Sequence, residues 1–362
     1  MIIIIRRHPN RVASYFCGMK KNLERLFVVS ALWILLFSGS CKSDKPAPPP
    51  PAPTFSFAKG ADVGWLTEME AAGKKFYTAA GTETECITLL KGLGMNSIRL
   101  RVWVNPAGGY NNAADVLAKA LRAKNAGMRI MIDFHYSDTW ADPGQQAPPV
   151  AWAAQSLTEL QTSVYNHTYT VLSNLKNNGV IPEWVQVGNE TNNGMLWPTG
   201  KASTSMASFA SLIKQGYNAV KAVDASIKVI VHLSNGHDNS LYRWLFDGLT
   251  ANGANWDIIG MSLYPEPTDW ATRNDQCLYN VNDLISRYGR EIMITEVGMS
   301  WDQPDACKSF LTDLITKMKA VSGNKVLGVF YWEPQSYGNW QGYTKGAFDN
   351  AGKPTIALNA FN

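Results

Sequence analysis

Cysteine is scarce in this chain of 362 residues: there are five, and no two stand in a C-x-x-C spacing. That argues against a structural zinc site as an organising element. An apolar run long enough to cross a bilayer is missing as well, because the stretch from Leu26 to Phe37 falls short of the roughly 20 residues a spanning helix needs. No glycine-rich phosphate loop follows the first strand-like run, which removes the main signature of a nucleotide-binding open sheet. Beyond Thr54 there is no second break in composition and no short-period repeat, so residues 55–362 read as one domain. Charged residues make up only 17% against 46% hydrophobic, the balance of a globular protein with a large core.

The formal charge of +4 does not survive a reading of the first forty residues. From Met19 the order is basic residues (Lys20, Lys21, Arg25), the apolar run, then small residues before Cys41. This is the order of an export signal. The small residues directly before Cys41 resemble a bacterial lipobox, with Ser38 where leucine is usual. Cys41 is then expected to be lipidated and to become the new N-terminus, leaving an exported protein anchored to the bacterial membrane, at the cell surface or the outer membrane. Residues 1–18 read as an upstream extension. Removing residues 1–40 takes six of 33 Lys/Arg and one of 29 Asp/Glu, leaving 27 against 28. With the basic excess gone, nucleic acid has no support as a partner. The stretch "KSDKPAPPPPAP" that follows is proline-rich, too extended to build a core, and reads with Thr54 as a linker over residues 41–54. Of the later cysteines, Cys277 and Cys307 each fall at a predicted helix start in neighbouring units. A Cys277–Cys307 disulfide and two buried free thiols both fit that pattern.

What is present is a regular alternation. Short β-rich runs open at Gly60, Ser97, Arg129, Trp184, Lys228, Asp257, Glu291 and Val326. Between several of them apolar residues recur at helical spacing, as in Cys86/Leu89/Leu90/Leu93 and Phe310/Leu311/Leu314/Ile315. Gly94, Gly127 and Gly179 follow three such runs, as C-terminal caps do. Eight strands alternating with helices over some 300 residues predict an α/β fold of the (β/α)8 TIM-barrel type.

Polar residues gather where the strand-like runs end, and in a barrel those ends converge on one mouth. Glu190 closes the fourth run and Glu296 the seventh, so barrel closure sets two carboxylates facing each other. A carboxylate pair is the equipment of glycoside hydrolysis, one donating a proton and one attacking the anomeric carbon. Asn189 precedes Glu190, and Arg99 and Arg101 share one face of the second strand. An arginine beside Glu296 would keep it ionised while burial raised Glu190. Arg101 reads equally well as a partner for a buried acid. His135, Asp138, Tyr264 and Trp332 end other strands and are further candidates for holding substrate. Thirteen tryptophans exceed what a core needs, and Trp65, Trp103, Trp140, Trp197, Trp301, Trp332 and Trp340 are expected to ring the same face.

The stretches "GADVGW", "SIRLRVWVNP", "DFHYSDTWADPGQQ", "VQVGNETNNGMLWP", "GMSLYP", "ITEVG" and "FYWEP" together resemble family 53 glycoside hydrolases, the endo-β-1,4-galactanases. The resemblance runs over essentially all of residues 55–362. It implies a retaining barrel enzyme that cleaves β-1,4-galactan; a monomer is expected, with neither cofactor nor metal. It also implies Glu190 as acid/base, Glu296 as nucleophile, and Arg99, His135, Asn189, Tyr264 and Trp332 around the sugar nearest the cleaved bond. One departure stands out. Some bacterial members carry a calcium-binding loop after the seventh strand, whereas here "MSWDQPDACKSF" leads straight into a helix. Asp302 and Asp305 are too few for the 6–8 oxygens that calcium takes.

Overall fold

The computed structural model describes residues 56–362. The signal, the linker and the proposed lipid site at Cys41 lie outside the described residues. Eight parallel strands close in sequence order: β1 (Ala58–Asp62), β2 (Ser97–Val102), β3 (Arg129–Phe134), β4 (Trp184–Val187), β5 (Lys228–Leu233), β6 (Ile258–Leu263), β7 (Glu291–Val297) and β8 (Val326–Tyr331), with β8 paired back to β1. The expected (β/α)8 barrel is therefore the fold.

The helices are α1 (Leu66–Ala71), α2 (Cys86–Gly92), α3 (Ala113–Asn125), α4 (Leu157–Asn177), α5 (Met206–Val223), α6 (Asn239–Ala251), α7 (Trp270–Tyr288) and α8 (Pro304–Ala320). Their starts follow from short polar side chains that satisfy the first free N–H groups. Asn112 caps α3 and Asp238 caps α6, while Ser156 forms a reciprocal capping box with Glu159 on α4. Gly94, Gly127 and Gly179 take the left-handed conformation just past α2, α3 and α4, as the sequence predicts.

The strands divide their side chains between two environments. One set, such as Ile98, Leu100, Val185, Val187, Ile292 and Ile294, joins the core between barrel and helices. The alternate set points inward, where Ala58, Met131, Trp184, Ile230, Ile258, Met293, Leu327 and Phe330 form a separate apolar cluster. Above that plug the inward positions turn polar: Asp62, Arg99, Arg101, Asp133, Gln186 and His232 are all fully buried.

Two sequence expectations change. The first strand begins at Ala58, ahead of the expected Gly60, and the sixth at Ile258, one residue past the expected Asp257. Cys277 lies inside α7 and not at its start; it and Cys307 are buried free thiols. The two thiols face different neighbours, Cys277 the loop at Gly236 and Cys307 the hydroxyl of Tyr331 at 3.7 Å, so no disulfide forms between them.

Candidate active site

Glu190 and Glu296 reach the mouth by different backbone devices. After β4, Gly188 turns with φ 86° and Glu190 itself holds φ 42°, a left-handed conformation that costs a non-glycine residue on the order of 1–3 kcal/mol. That turn lifts the Glu190 side chain off the ladder into the cavity. On β7, Glu296 has the same parity as Ile292 and Ile294, which pack outward against helices. The β6–β7 register shifts between Met261 and Ser262, so that Ile294 pairs with Met261 but Glu296 pairs with Ser262. This one-residue bulge reverses the parity and turns Glu296 inward.

Arg99 organises what lies beneath. Its Nη1 binds Asp62 Oδ2 at 2.8 Å, its Nη2 lies 2.9 Å from Asp133 and 2.8 Å from Glu296 Oε1, and its Nε donates to Gln186 at 2.6 Å. The other oxygen of Glu296 accepts from the Tyr264 hydroxyl at 2.8 Å. Asn189 is held with equal care: Oδ1 accepts from Arg99 at 3.0 Å, and one Nδ2 hydrogen goes to the Ala141 carbonyl at 2.8 Å. His135 is locked in one tautomer. Its Nδ1 accepts from Trp103 Nε1 and the Ala141 N–H, so Nε2 carries the proton and donates to Asp133 at 3.0 Å. His232 bridges Gln186, Asn189 and Ser262, and burial pushes its pKa well below the usual histidine range.

Burial raises both glutamates. Glu190 is pushed up to about 7, with a hydrogen bond to Ser262 and the charge of Arg99 opposing the shift. Glu296 is pushed up to about 8, against the pull of Arg99, and the charge of Glu190 adds to the rise. The expected low value for Glu296 is thus not met, since desolvation outweighs the arginine. The contacts are asymmetric: the Arg99 guanidinium lies 2.8 Å from Glu296 Oε1 as an ion pair and the Tyr264 hydroxyl donates to Oε2, and both favour the negative form of Glu296.

The cavity over this pair measures about 830 Å³ and is lined by Trp65, Trp103, His135, Trp140, Asn189, Glu190, Tyr264, Glu296, Trp332 and Tyr343, among others. Of the polar candidates named from the sequence, Arg99 and Arg101, which act from below, and Asp138 are not among the lining residues. Both oxygens of Asp138 accept backbone N–H groups, from Asn105 and Val150 at 2.9 Å each, so it staples two loops together. Trp197, Trp301 and Trp340 also stand apart from the lining. Arg101 pairs with Glu333 and Asp62, the buried-acid role. The sequence reading passed over Asp62, Asp133, Gln186 and Glu333. No local pattern marks them: each gains its meaning from the arginine it meets from another strand. Among the described residues no group of three or more His, Cys, Asp or Glu is arranged to hold a metal ion.

A closed (β/α)8 barrel whose mouth holds two glutamates from β4 and β7 under a tryptophan wall defines a carbohydrate-cleaving barrel enzyme by class. The model of glycosyl hydrolase family 53 matches residues 58–361, and the chain belongs to that family. It is 33% identical over 298 residues to a probable arabinogalactan endo-β-1,4-galactanase A of Neosartorya fischeri, covering 76% of this chain and 83% of that protein. Among solved structures, the family 53 catalytic domain of Ignisphaera aggregans superposes with a TM-score of 0.77 at 32% identity, over 86% of this chain and 97% of that one. A structure from a study of two fungal β-1,4-galactanases gives 0.78 at 29% identity, over 84% and 99%.

Proposed function

We propose that this chain is a retaining, endo-acting hydrolase of β-1,4-galactosidic bonds in type I (arabino)galactan. The observation that carries the reading is the asymmetric grip on the paired carboxyls. Glu296 is ion-paired with Arg99 and accepts from the Tyr264 hydroxyl, whereas burial raises Glu190 and favours its protonated form. The galactan preference rests on the family and on the named activity of its relatives.

In the first step Glu296 attacks the anomeric carbon while Glu190 passes its proton to the departing glycosidic oxygen. The product is a galactosyl ester on Glu296. Glu190, now ionised, takes a proton from water, whose oxygen displaces Glu296 and releases the sugar with its original configuration. Asn189 has a second Nδ2 hydrogen beyond the one given to Ala141, directed to a sugar hydroxyl beside the reacting carbon. Arg99 and Tyr264 hold Glu296 in line throughout, and Trp332 supplies a flat face for the ring. The enzyme acts as a monomer, exported and tethered to the membrane through lipidated Cys41 and the proline-rich linker.

The test is reducing-sugar release from linear β-1,4-galactan, with β-mannan and xylan in parallel and Glu296→Gln as control. Galactan cleavage by the wild type alone, with retained anomeric configuration, supports the reading. Cleavage of another glycan instead overturns the substrate, and no release by a folded protein overturns the activity.

A further inference from the structure

Arg101 is fully buried, yet its guanidinium lacks the oxygen partners it could use. Nη1 pairs with Glu333 and lies 3.5 Å from Asp62 Oδ1, while Nε and Nη2 have no hydrogen-bond acceptor among the described residues. Unpaired buried donors are costly and are kept only for a reason. Here four indoles stand where acceptors would. The Arg101 Cζ lies 4.5 Å from the ring centroid of Trp140, 5.1 Å from Trp65, 5.4 Å from Trp103 and 5.9 Å from Trp332. Ring faces carry the negative side of the indole quadrupole and take up a cation and its N–H groups.

Those four tryptophans come from the ends of β1, β2 and β8 and from the loop after β3, so no local chain geometry joins them. They meet one another at steep angles, Trp103–Trp140 and Trp65–Trp332 at 5.1 Å and Trp65–Trp140 at 5.6 Å, with Arg101 behind them. All four line the cavity. The backbone makes room for the guanidinium, since a Cβ at Gly64 would collide with Arg101 Nη1. A lysine has no plane to offer four rings.

We infer that Arg101 is a positioning residue: its guanidinium fixes the four-tryptophan wall and, through the wall, the place of the bound glycan. The inference rests on the reading of the cavity as a glycan site. It separates two arginines on one strand, Arg99 serving the reacting carboxylate and Arg101 the wall against which the sugar lies.

Two variants test it, Arg101→Lys, which keeps charge but loses the plane, and Gly64→Ala, which keeps the guanidinium and displaces it. Both are expected to raise KM about tenfold, the scale of lost cation–π contacts, while kcat stays within about threefold and its pH limbs do not move. Both are also expected to shift the tryptophan emission maximum of the free protein, because a fixed cation against several indoles is removed or moved. An unchanged KM in both variants overturns the inference, as does a fall in kcat with displaced pH limbs, which would give Arg101 the role of Arg99. If Arg101→Lys does not fold, Gly64→Ala decides by the same readouts. If the wild type cleaves no glycan, the proposed function fails separately. The emission readout then decides on Arg101, and unchanged emission in the variants overturns its part.

Discussion

The floor and the mouth of this barrel use the same eight strands and opposite chemistries. At the floor, Met131, Trp184, Ile258, Met293 and Phe330 fill the interior as an ordinary apolar plug. A few residues further along, Arg99, Arg101, Asp62, Asp133, Glu296 and Glu333 crowd the same interior with buried charge. Burying the plug is favourable by itself, at roughly 25 cal/mol per Å² of apolar surface. Burying the charges is not, because desolvation consumes most of what pairing returns. The floor can therefore be tuned for stability and the mouth for chemistry, with the unfavourable arrangement carried by the favourable one. Left-handed Glu190 and the bulge before Glu296 belong to the mouth, while at the plug the β7–β8 register shifts between Ile292 and Ile294.

The contrast can be broken in graded ways. The largest effect is expected from Glu296→Gln, which keeps shape and removes charge. Hydrolysis should fall on the order of 10⁴-fold with the thermal midpoint unchanged or higher. A midpoint many degrees lower would mean the mouth is a structural element too. Next, Phe330→Ala opens a void in the plug and should cost about 3–5 kcal/mol in urea unfolding, while the kcat of the folded fraction stays near wild type. Loss of kcat at intact stability would reverse the division of labour.

Tyr264→Phe removes one hydrogen bond to a charged carboxylate, about 1.5–3 kcal/mol, and should slow the first step without unfolding the protein. Its acid limb should move upward, since the lost hydrogen bond was holding the Glu296 pKa down and the attacking carboxylate must be ionised. The smallest effect concerns pH and stability. Glu190 and Glu296 have folded-state pKa values raised above the ordinary 4.5, so the native state keeps protons that the unfolded chain releases. Their contribution is full below about 4.5 and is lost as pH rises through 7 to 8. Thermal midpoints between pH 6 and 9 should decline, and Glu190→Gln should flatten that decline. An equal slope in the variant would assign it to other groups.

How much of this was legible in the chain depends on the range of the signal. The strand runs and the glycines after α2, α3 and α4 are local signals, and the elements and caps they predict form, with boundaries displaced by a residue or more. Glu190 and Glu296 were legible as residues at strand tips. Asp138 looked equally suitable, because a carboxylate after a strand reads the same whether it meets substrate or two backbone N–H groups. Cys277 and Cys307 begin no shared contact, since which way a helix turns its thiol depends on what packs against it. Asp62, Asp133 and Glu333 went unread because a lone buried acid carries no local mark; only the arginine that it meets from another strand gives it meaning.

By itself the sequence determined the alternation of strand and helix, the barrel that follows from it, and the residue types available at the mouth. Those depend on periodicity and on caps, which act over a few residues. Tertiary structure alone decided how far burial raises the two acids, that Arg99 grips Glu296 while Arg101 stands behind four indoles, and that β7 slips by one residue to turn Glu296 inward. Each of these is set by distance and burial between segments far apart in the chain, and electrostatics in a dry interior depends on just those two quantities.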